Sequence, residues 1–385
     1  MNKIKFIFSS LVDVLIYFYY KLYFLIKNTK ASDVWLISER GNDARDNGYW
    51  FYRYMKDNHP EVSIKYVITK DSADYSKIDE EDVVLYRSRE HYHYFLFSKV
   101  LVSAQIMGFS PNERLYYRLN KYGILRIKGK TVFLQHGITK DFNPYMCKEN
   151  AKLDLFICGA IPEHEYMIEK YGYNEKEAVL TGFARFDNLK NIGEKTILIM
   201  PTWRKWLKYA ETLKGTDFYN NYMDILNDDE VIKLLEEKGY KMIFYPHVVL
   251  QKFVNEFSSK SDLVKIASFD DYDVQDLLRQ SSLLVTDYSS VAFDYAYMQK
   301  NVVYYQFDLQ QYRAEQYSDG YYSYEEDGFG PVCSDSESTK KYIKEFLNDS
   351  KSLKEYNRRI GKFFKYSDCK NCERIFEKIN EIVNN

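Results

Sequence analysis

The sequence predicts an α/β protein made of two doubly wound parallel sheets that face a cleft. Short apolar segments alternate with helical ones along most of the 385 residues, which is the order that βαβ units produce. The length exceeds what one core usually supports, so we expect two domains. The alternation restarts after Gly193-Glu194-Lys195, which we interpret as the boundary between them.

Residues 4–26 form the first predicted element, a helix. Most of its residues are apolar, while Ser9, Asp13, Tyr17 and Lys21 recur every four residues and form one polar stripe. The pattern favours an amphipathic anchor in the membrane interface, with a spanning helix and a helix packed on the protein as alternatives. Asp13, near the middle, disfavours the span. No small-residue cleavage site follows, so we expect no signal peptide.

Two sets of strands follow in the prediction. The first set is Val34–Ser38, Ile64–Ile68, Val83–Tyr86, Val100–Ser103, Val132–Gln135, Leu153–Cys158 and Ala178–Thr181. The second set is Thr196–Met200, Lys241–Tyr245, Val264–Ala267, Leu283–Thr286 and Val302–Tyr305. The helices predicted between or after them cover Tyr49–Lys56 and about 229–238, 273–280, 288–299, 337–348, 350–363 and 370–383. The predicted division is a helix at 1–30, domains at 31–192 and 193–335, and C-terminal helices at 336–385.

Composition excludes some function classes. With 54 basic and 56 acidic residues the net charge is -2, so no global basic field indicates a nucleic-acid partner. The five cysteines form no even-numbered framework, which favours a reduced, cytosolic setting. Neither the cysteines nor the carboxylates form a recognisable ligand set, so we predict no metal site.

His136 is the first candidate for chemistry. It directly follows a predicted strand and precedes Gly137, at the sheet edge where open α/β folds bind ligands. An imidazole there can act as the general base that activates a hydroxyl. Gly137 would let the backbone approach a substrate, and Lys140 would add a positive charge. A structural histidine at a strand end is the alternative.

His247 ends a strand in the second half, so one histidine from each half could face the cleft. As a hydrogen-bond donor it would suit the charge that builds on a diphosphate leaving group. Arg204 and Thr202 follow another strand of that half. They could contribute a planar guanidinium and a hydroxyl to the same phosphates.

The segment from Thr286 through Asp287 to Ser289 and Ser290 is a predicted turn from strand to helix. Such a turn brings backbone N–H groups, hydroxyls and the positive end of a helix dipole together, which favours a phosphate site. An ordinary capped helix is the alternative.

Three charged residues of the first half are weaker candidates for the acceptor side. Asp43 and Asp46, together with the neutral Asn47 in the same loop after the first strand, could hold a polyol, although solvated charged loops are common. Arg185 could contact a ligand or form an ion pair with Asp187.

The motifs Gln135-His136-Gly137, Pro201-Thr202-Trp203-Arg204, Tyr245-Pro246-His247 and Thr286-Asp287-Tyr288-Ser289-Ser290 occur in a familiar order and spacing. Over roughly residues 33–335 the chain resembles the CDP-glycerol glycerophosphotransferase family of teichoic-acid and capsule synthesis. Where polymerases of this family often have Trp-His-Gly-Thr-Pro, this chain has Gln-His-Gly-Ile-Thr, which leaves glycerol, ribitol or another alditol open.

The resemblance implies a GT-B-like pair of Rossmann domains, with the acceptor side at 31–192 and the CDP-donor side at 193–335. It implies His136 as the base and His247 as the ligand of the donor pyrophosphate, near Ser289, Ser290 and Arg204. It also implies peripheral, monotopic attachment to the cytoplasmic face of the membrane.

We therefore expect a transferase that moves glycerol phosphate, or a related alditol phosphate, from a CDP-linked donor to a hydroxyl of a lipid-linked glycan or polymer, releasing CMP. No cofactor or metal is expected beyond the CDP-alditol substrate. Single addition, capsule decoration and polymerisation stay open, as does a homo-oligomer. The alternatives are a nucleotide-sugar glycosyltransferase of the same fold and a catalytically silent membrane scaffold.

Overall fold

A computed structural model describes residues 3–125, 127–269, 271–316, 319–351 and 353–384, with side chains from residue 12 onward. The chain divides into two compact units. The first contains Met1–Ile138, Asn143–Asp187 and Tyr366–Asn385, and the second contains Thr139–Phe142 and Asn188–Lys365. The division differs from the predicted one, because a short internal segment joins the second unit and the C-terminal segment joins the first.

The first unit is built on a seven-stranded parallel sheet. Its strands are β1 (Ser32–Ser38), β2 (Ile64–Ile68), β3 (Val83–Leu85), β4 (Ser98–Ser103), β5 (Lys130–Phe133), β6 (Leu155–Cys158) and β7 (Ala178–Leu180). The order is β3-β2-β1-β4-β5-β6-β7. The helices are α1 (Lys3–Ile26), α2 (Asn47–Asn58), α3 (Arg89–Phe97), α4 (Glu113–Lys121), α5 (Lys148–Ala151) and α6 (Ile161–Glu169).

The second unit has a six-stranded sheet in the order β10-β9-β8-β11-β12-β13, also parallel. Its strands are β8 (Thr196–Ile199), β9 (Lys241–Phe244), β10 (Val264–Ile266), β11 (Leu283–Thr286), β12 (Asn301–Tyr305) and β13 (Val332–Cys333). Its helices are α7 (Asp217–Leu226), α8 (Asp229–Lys238), α9 (Val274–Gln280), α10 (Val291–Tyr297), α11 (Leu309–Glu315), α12 (Tyr324–Asp327) and α13 (Ser336–Asn348).

The last helix, α14 (Asn371–Asn384), completes the first unit. Ile375 and Ile379 are fully buried there, and the ring of Phe376 stacks on His59 with centroids 3.5 Å apart. Asp187 accepts hydrogen bonds from the first backbone N–H groups of this helix. The connecting 3₁₀ segments are Tyr75–Lys77, Glu80–Asp82, Pro144–Met146, Ala184–Asn188, Lys205–Leu207, Val248–Glu256 and Lys354–Lys362.

The predicted α/β class with two parallel Rossmann-like sheets is confirmed. Each predicted strand is present, with ends that shift by at most two residues. The short edge strand β13 was not predicted, and the predicted helix at 350–363 is a 3₁₀ segment. The predicted cleft between the two sheets stays a prediction.

Helix α1 does not carry its polar stripe toward solvent. Tyr17 is fully buried against the aromatic core of the first unit, and Asp13 accepts a hydrogen bond from the side chain of Asn112. The exposed face is apolar, since Leu15 and Leu22 are 68% and 59% exposed. Ser9, the first residue of the predicted stripe, lies outside the side chains that the structure describes. Within the described residues, no helix has the length and apolarity that a membrane span requires.

Candidate active site

The carboxyl edge of the first sheet gathers several predicted site residues. The loop after β5 is held by Asn47 at the start of α2, whose amide donates to the carbonyls of Leu134 and Gln135 at 3.3 and 2.7 Å. The Asn47 side-chain oxygen accepts from the backbone N–H of Arg185 at 3.0 Å. Gln135 has a left-handed backbone conformation, with φ of 60°. The backbone turn that the sequence analysis expected at Gly137 therefore occurs two residues earlier. This turn places His136 at the end of the strand.

His136 carries the features of a base. An interaction of its ring with the backbone of Ala104 favours the protonated form and so raises the pKa of His136. Desolvation by the surrounding protein, with the charges of Arg40 and Arg185, lowers the pKa of His136 to about 4. The ring is nevertheless exposed along one side. Contact with water reduces the effect of desolvation on the pKa of His136. The charges of Arg40 and Arg185, however, also lower this pKa. The ring is therefore neutral near pH 7.

His136 opens onto a cavity of about 540 Å³ in the first unit, which we call the α4 cavity. Helix α4 supplies one wall with Glu113, Arg114, Tyr117 and Arg118, and the other walls include residues 105–106, 143 and 145–146. This volume lies within the range of small-molecule sites.

Asp46, in the acidic loop after β1, forms an ion pair within the first unit. Arg185 donates to Asp46 at 3.0 Å and to the carbonyl of His136 at 3.3 Å. Asp187, the ion-pair partner that the sequence suggested as an alternative for Arg185, accepts hydrogen bonds from the first N–H groups of α14. Desolvation raises the pKa of Asp43 and of Asp46 against the opposing effects of nearby arginines.

Glu39 was missed by sequence reasoning. Its buried carboxylate accepts backbone hydrogen bonds from Arg45, Asp46 and Tyr49 at 2.8–3.1 Å, so it fixes the loop and the start of α2. Burial, followed by the charges of Asp43 and Asp46, raises the pKa of Glu39 to about 8. Its position directly after β1 was the available signal.

The carboxyl edge of the second sheet is organised around Arg204. This side chain is fully buried and forms a two-bond pair with Asp308, at 2.6 and 3.0 Å. A third contact, at 2.8 Å, joins it to Asp287. Burial opposes the charged form, but the two carboxylates outweigh it and raise the pKa of Arg204. The direct phosphate contact predicted for Arg204 does not fit this burial. The residue instead ties three strand ends together.

Thr202 and His247 lie on this same edge. The Thr202 backbone N–H donates to Asp287 at 2.9 Å, while its side-chain oxygen is buried without a hydrogen-bond partner in the described structure. His247 is half-buried, and its backbone N–H donates to the carbonyl of Pro201 at 3.2 Å. The His247 Nδ1 accepts from the N–H of Val249 at 3.2 Å, so in the neutral ring Nε2 carries the proton.

The turn after β11 differs in part from its prediction. Thr286 is buried and donates to the carbonyl of Met200, and Asp287 accepts from the N–H of Tyr288. Ser289 and Ser290 are half-buried, and α10 begins only at Val291. Ser290 makes no capping bond through its side chain, so the predicted cap is wrong for that residue. The Ser289 hydroxyl accepts from the N–H of Val291 at 3.4 Å, and Ser289 and Ser290 are less buried than Asp287 and Tyr288.

Lys140 belongs to the second unit, not to the predicted acceptor side. It is 5% exposed, pairs with Asp141, and its ammonium lies 5.4 Å from the ring centroid of Tyr324. Burial lowers the pKa of Lys140.

One group of carboxylates in the described residues has metal-ligand spacing: Asp79, Glu81 and Asp82. The group directly precedes β3 and therefore lies at the amino ends of the strands, whereas His136 lies at their carboxyl ends. The Lys56 ammonium lies among its oxygens at 2.8–3.3 Å, which already neutralises part of its charge.

Comparison with known proteins gives consistent matches. A family model described as CDP-Glycerol:Poly(glycerophosphate) glycerophosphotransferase matches residues 19–381. The minor teichoic acid biosynthesis protein GgaB of Bacillus subtilis is 34% identical over 94% of this chain and 41% of its own length. A teichoic acid poly(glycerol phosphate) polymerase of the same organism is 25% identical over 87% of this chain and 47% of its own. The chain thus spans less than half the length of these relatives.

The fold is shared with solved structures. The wall teichoic acid polymerase TagF superposes with a TM-score of 0.70 at 18% identity, covering 100% of this chain and 98% of that chain. A Staphylococcus aureus MnaA structure with UDP gives a TM-score of 0.55 at 12% identity, covering 91% and 96%. At these identities the likeness shows the fold alone. With most of its residues matched by the family model, the chain belongs to the CDP-glycerol:poly(glycerophosphate) glycerophosphotransferase family.

Proposed function

We propose that the protein transfers glycerol phosphate, or a related alditol phosphate, from a CDP-linked donor to a hydroxyl of a lipid-linked glycan or teichoic-acid or capsule polymer. The family and its teichoic-acid relatives support this reaction class. The observation that carries the proposal is the position of His136, which follows β5 and lines the α4 cavity.

His136 acts as the general base in this proposal. The acceptor hydroxyl gives its proton to the available ring nitrogen as its oxygen attacks the β-phosphorus of the donor. The bond between that phosphorus and the bridging oxygen breaks, and CMP leaves. Arg185, which holds the carbonyl of His136 and the carboxylate of Asp46, positions the base.

Groups of the second unit bind the donor diphosphate. His247 can donate from Nε2 because Nδ1 is already an acceptor, which suits the charge that develops on the leaving phosphate. The Thr202 hydroxyl, which has no partner in the described structure, and the hydroxyls of the half-buried Ser289 and Ser290 supply further donors. Arg204 acts through Asp287 and Asp308 as a positioning residue.

The test measures CMP release from CDP-glycerol with a lipid-linked acceptor. His136→Ala should lower kcat by about 10²-fold or more, because proton transfer by a positioned base contributes that much. His59→Ala is the matched control, since that ring stacks on Phe376 away from the strand ends and its loss should leave kcat unchanged. Two outcomes would overturn the proposal. One is turnover of a UDP-hexose with no turnover of any CDP-alditol, and the other is full activity of His136→Ala.

We propose further that α1 lies on the cytoplasmic surface of the membrane. Its exposed face carries Leu15, Phe18, Leu22 and Ile26, while the opposite face packs on the first unit. An exposed apolar stripe of this length fits an interfacial helix whose apolar side enters the lipid.

A further inference from the structure

We propose that Glu163 and Gln135 form a buried hydrogen-bonded pair that positions His136 for proton transfer. Glu163 is then a positioning residue, which acts through Gln135 and not on the substrate. The inference rests on the proposed function, in which His136 is the base. It begins from the residue that directly precedes the base, because Gln135 is only 1% exposed although it lies beside an exposed histidine.

Gln135 is held by hydrogen bonds at its side chain and at its backbone. Its Nε2 donates to the carbonyl of Ile157, in β6, at 2.6 Å and to a carboxyl oxygen of Glu163 at 3.1 Å. Its own carbonyl, which belongs to the peptide that joins it to His136, accepts from the Asn47 amide at 2.7 Å. The residue before the base is therefore held from two directions within the first unit.

Glu163 joins the loops that follow two neighbouring strands. It is fully buried in the first turn of α6, and its second carboxyl oxygen accepts from the N–H of Gly159, directly after β6, at 2.7 Å. A buried carboxyl group costs free energy unless N–H groups compensate it, as those of Gln135 and Gly159 do here. An apolar side chain could fill the same space without that cost. The carboxyl group therefore contributes a fixed position for Gln135.

The backbone of Gln135 shows why this position matters for the base. Its φ of 60° lies in the left-handed region, which residues other than glycine rarely adopt and which persists where surrounding contacts fix it. If the side chain of Gln135 is released, the backbone can relax and rotate the next peptide, which carries His136. A displacement of about 1 Å in a reacting group can cost on the order of 10²-fold in rate.

The kinetic experiment measures kcat per folded protein with CDP-glycerol and the lipid-linked acceptor. Glu163→Gln keeps the size of the side chain but replaces one acceptor oxygen with an NH2 group. It should lower kcat at least about tenfold and change the KM for CDP-glycerol less than about twofold. Thr131→Val is the matched control, because it removes a 2.8 Å hydrogen bond to Asp154 at the amino ends of β5 and β6. It should leave kcat unchanged.

A double-mutant cycle tests whether the two residues act as a pair. Gln135→Met removes the amide that Glu163 binds and should lower kcat by a similar factor, and it also serves if Glu163→Gln misfolds. The double variant should lose no more than the larger single loss, because either change alone already breaks the pair. Single losses that multiply in the double variant would overturn the inference.

NMR of histidine-labelled protein without substrates observes the base directly, and His136→Ala identifies its signal. In Glu163→Gln the titration midpoint of His136 should move up toward 6.5, because a released ring gains contact with water. Thr131→Val should titrate as the wild type does. The shift in Glu163→Gln without any CDP-alditol turnover by the wild type would overturn the proposed function alone. A wild-type titration or a wild-type kcat in Glu163→Gln, with normal turnover by the wild type, would overturn the inference alone.

Discussion

At the scale of single residues, the protonation of His136 sets the expected pH response. Its pKa lies below the ordinary 6.5, so the ring stays neutral, and competent as a base, at pH values where a free histidine is protonated. The acidic limb of kcat/KM should therefore lie below pH 6.5, with activity falling as the pH approaches about 4. A pH–rate profile with an enzyme-stability control measures this, and a limb at or above 6.5 would contradict it.

Arg204 gives a second residue-scale prediction. Arg204→Met leaves Asp287 buried without its cation, so the free energy of unfolding should fall by about 3–5 kcal/mol. Urea denaturation measures the change. Lys233→Met, which removes an exposed surface pair in the same unit, should change it by less than about 0.5 kcal/mol. A loss for Arg204→Met as small as that of the control would show that the buried network contributes little.

The sequence located the strand-end histidines but not the network beneath them. A histidine that follows a strand is visible because strand ends converge in a parallel sheet. The burial of Arg204 was not visible, because Asp308 is 104 residues away and the pairing depends on the neighbouring order of β8, β11 and β12. For the same reason the sequence suggested Asn47 only as a possible polyol contact and did not show that it joins the loops after β5 and β7.

At the scale of elements, α1 shows that a periodic pattern predicts a helix without saying which face packs on the protein. The predicted segment is helical in the structure, over Lys3–Ile26. However, Tyr17 and Asp13 find partners on the protein, in the aromatic cluster and in Asn112, so the polar stripe faces inward. Strands were easier to predict because fully buried parallel strands are continuous apolar runs. The two-residue strand β13 is too short to give such a signal.

The exposed stripe of α1 predicts the membrane behaviour of the full chain. Leu15→Glu with Leu22→Glu should weaken binding to anionic liposomes by roughly tenfold or more, because two large apolar contacts are lost and two negative charges are added. Co-sedimentation measures the bound fraction. Tyr209→Glu, on an 85% exposed side chain of the second unit, is the control. Equal binding by all three proteins would exclude α1 as the anchor.

At the scale of the whole molecule, the reaction is expected to proceed without a metal ion. In the described residues the carboxylates with ligand spacing surround Lys56. They lie at the amino ends of the strands, whereas His136 lies at the carboxyl ends. Transfer in excess EDTA should therefore match transfer without it. A loss of activity that Mg²⁺ or Mn²⁺ restores would contradict this expectation.

The division of the chain leads to a further prediction for the whole molecule. Because α14 supplies Ile375 and Ile379 to the core of the first unit, removing residues 366–385 should destabilise that unit and spare the second. Limited proteolysis should then cleave the first unit preferentially. Ile375→Asp should reproduce the effect, whereas Lys378→Asp, on the exposed side of the helix, should not.

The place of α14 in the sequence also bears on how the protein is made. A ribosome that has translated α1 through β7 has released almost all of the first unit, but the surface beside Trp35 that Phe376 covers is still bare. Another 178 residues, Asn188–Lys365, must be translated before the missing helix appears. The first unit of the nascent chain therefore stays incomplete until α14 has been translated.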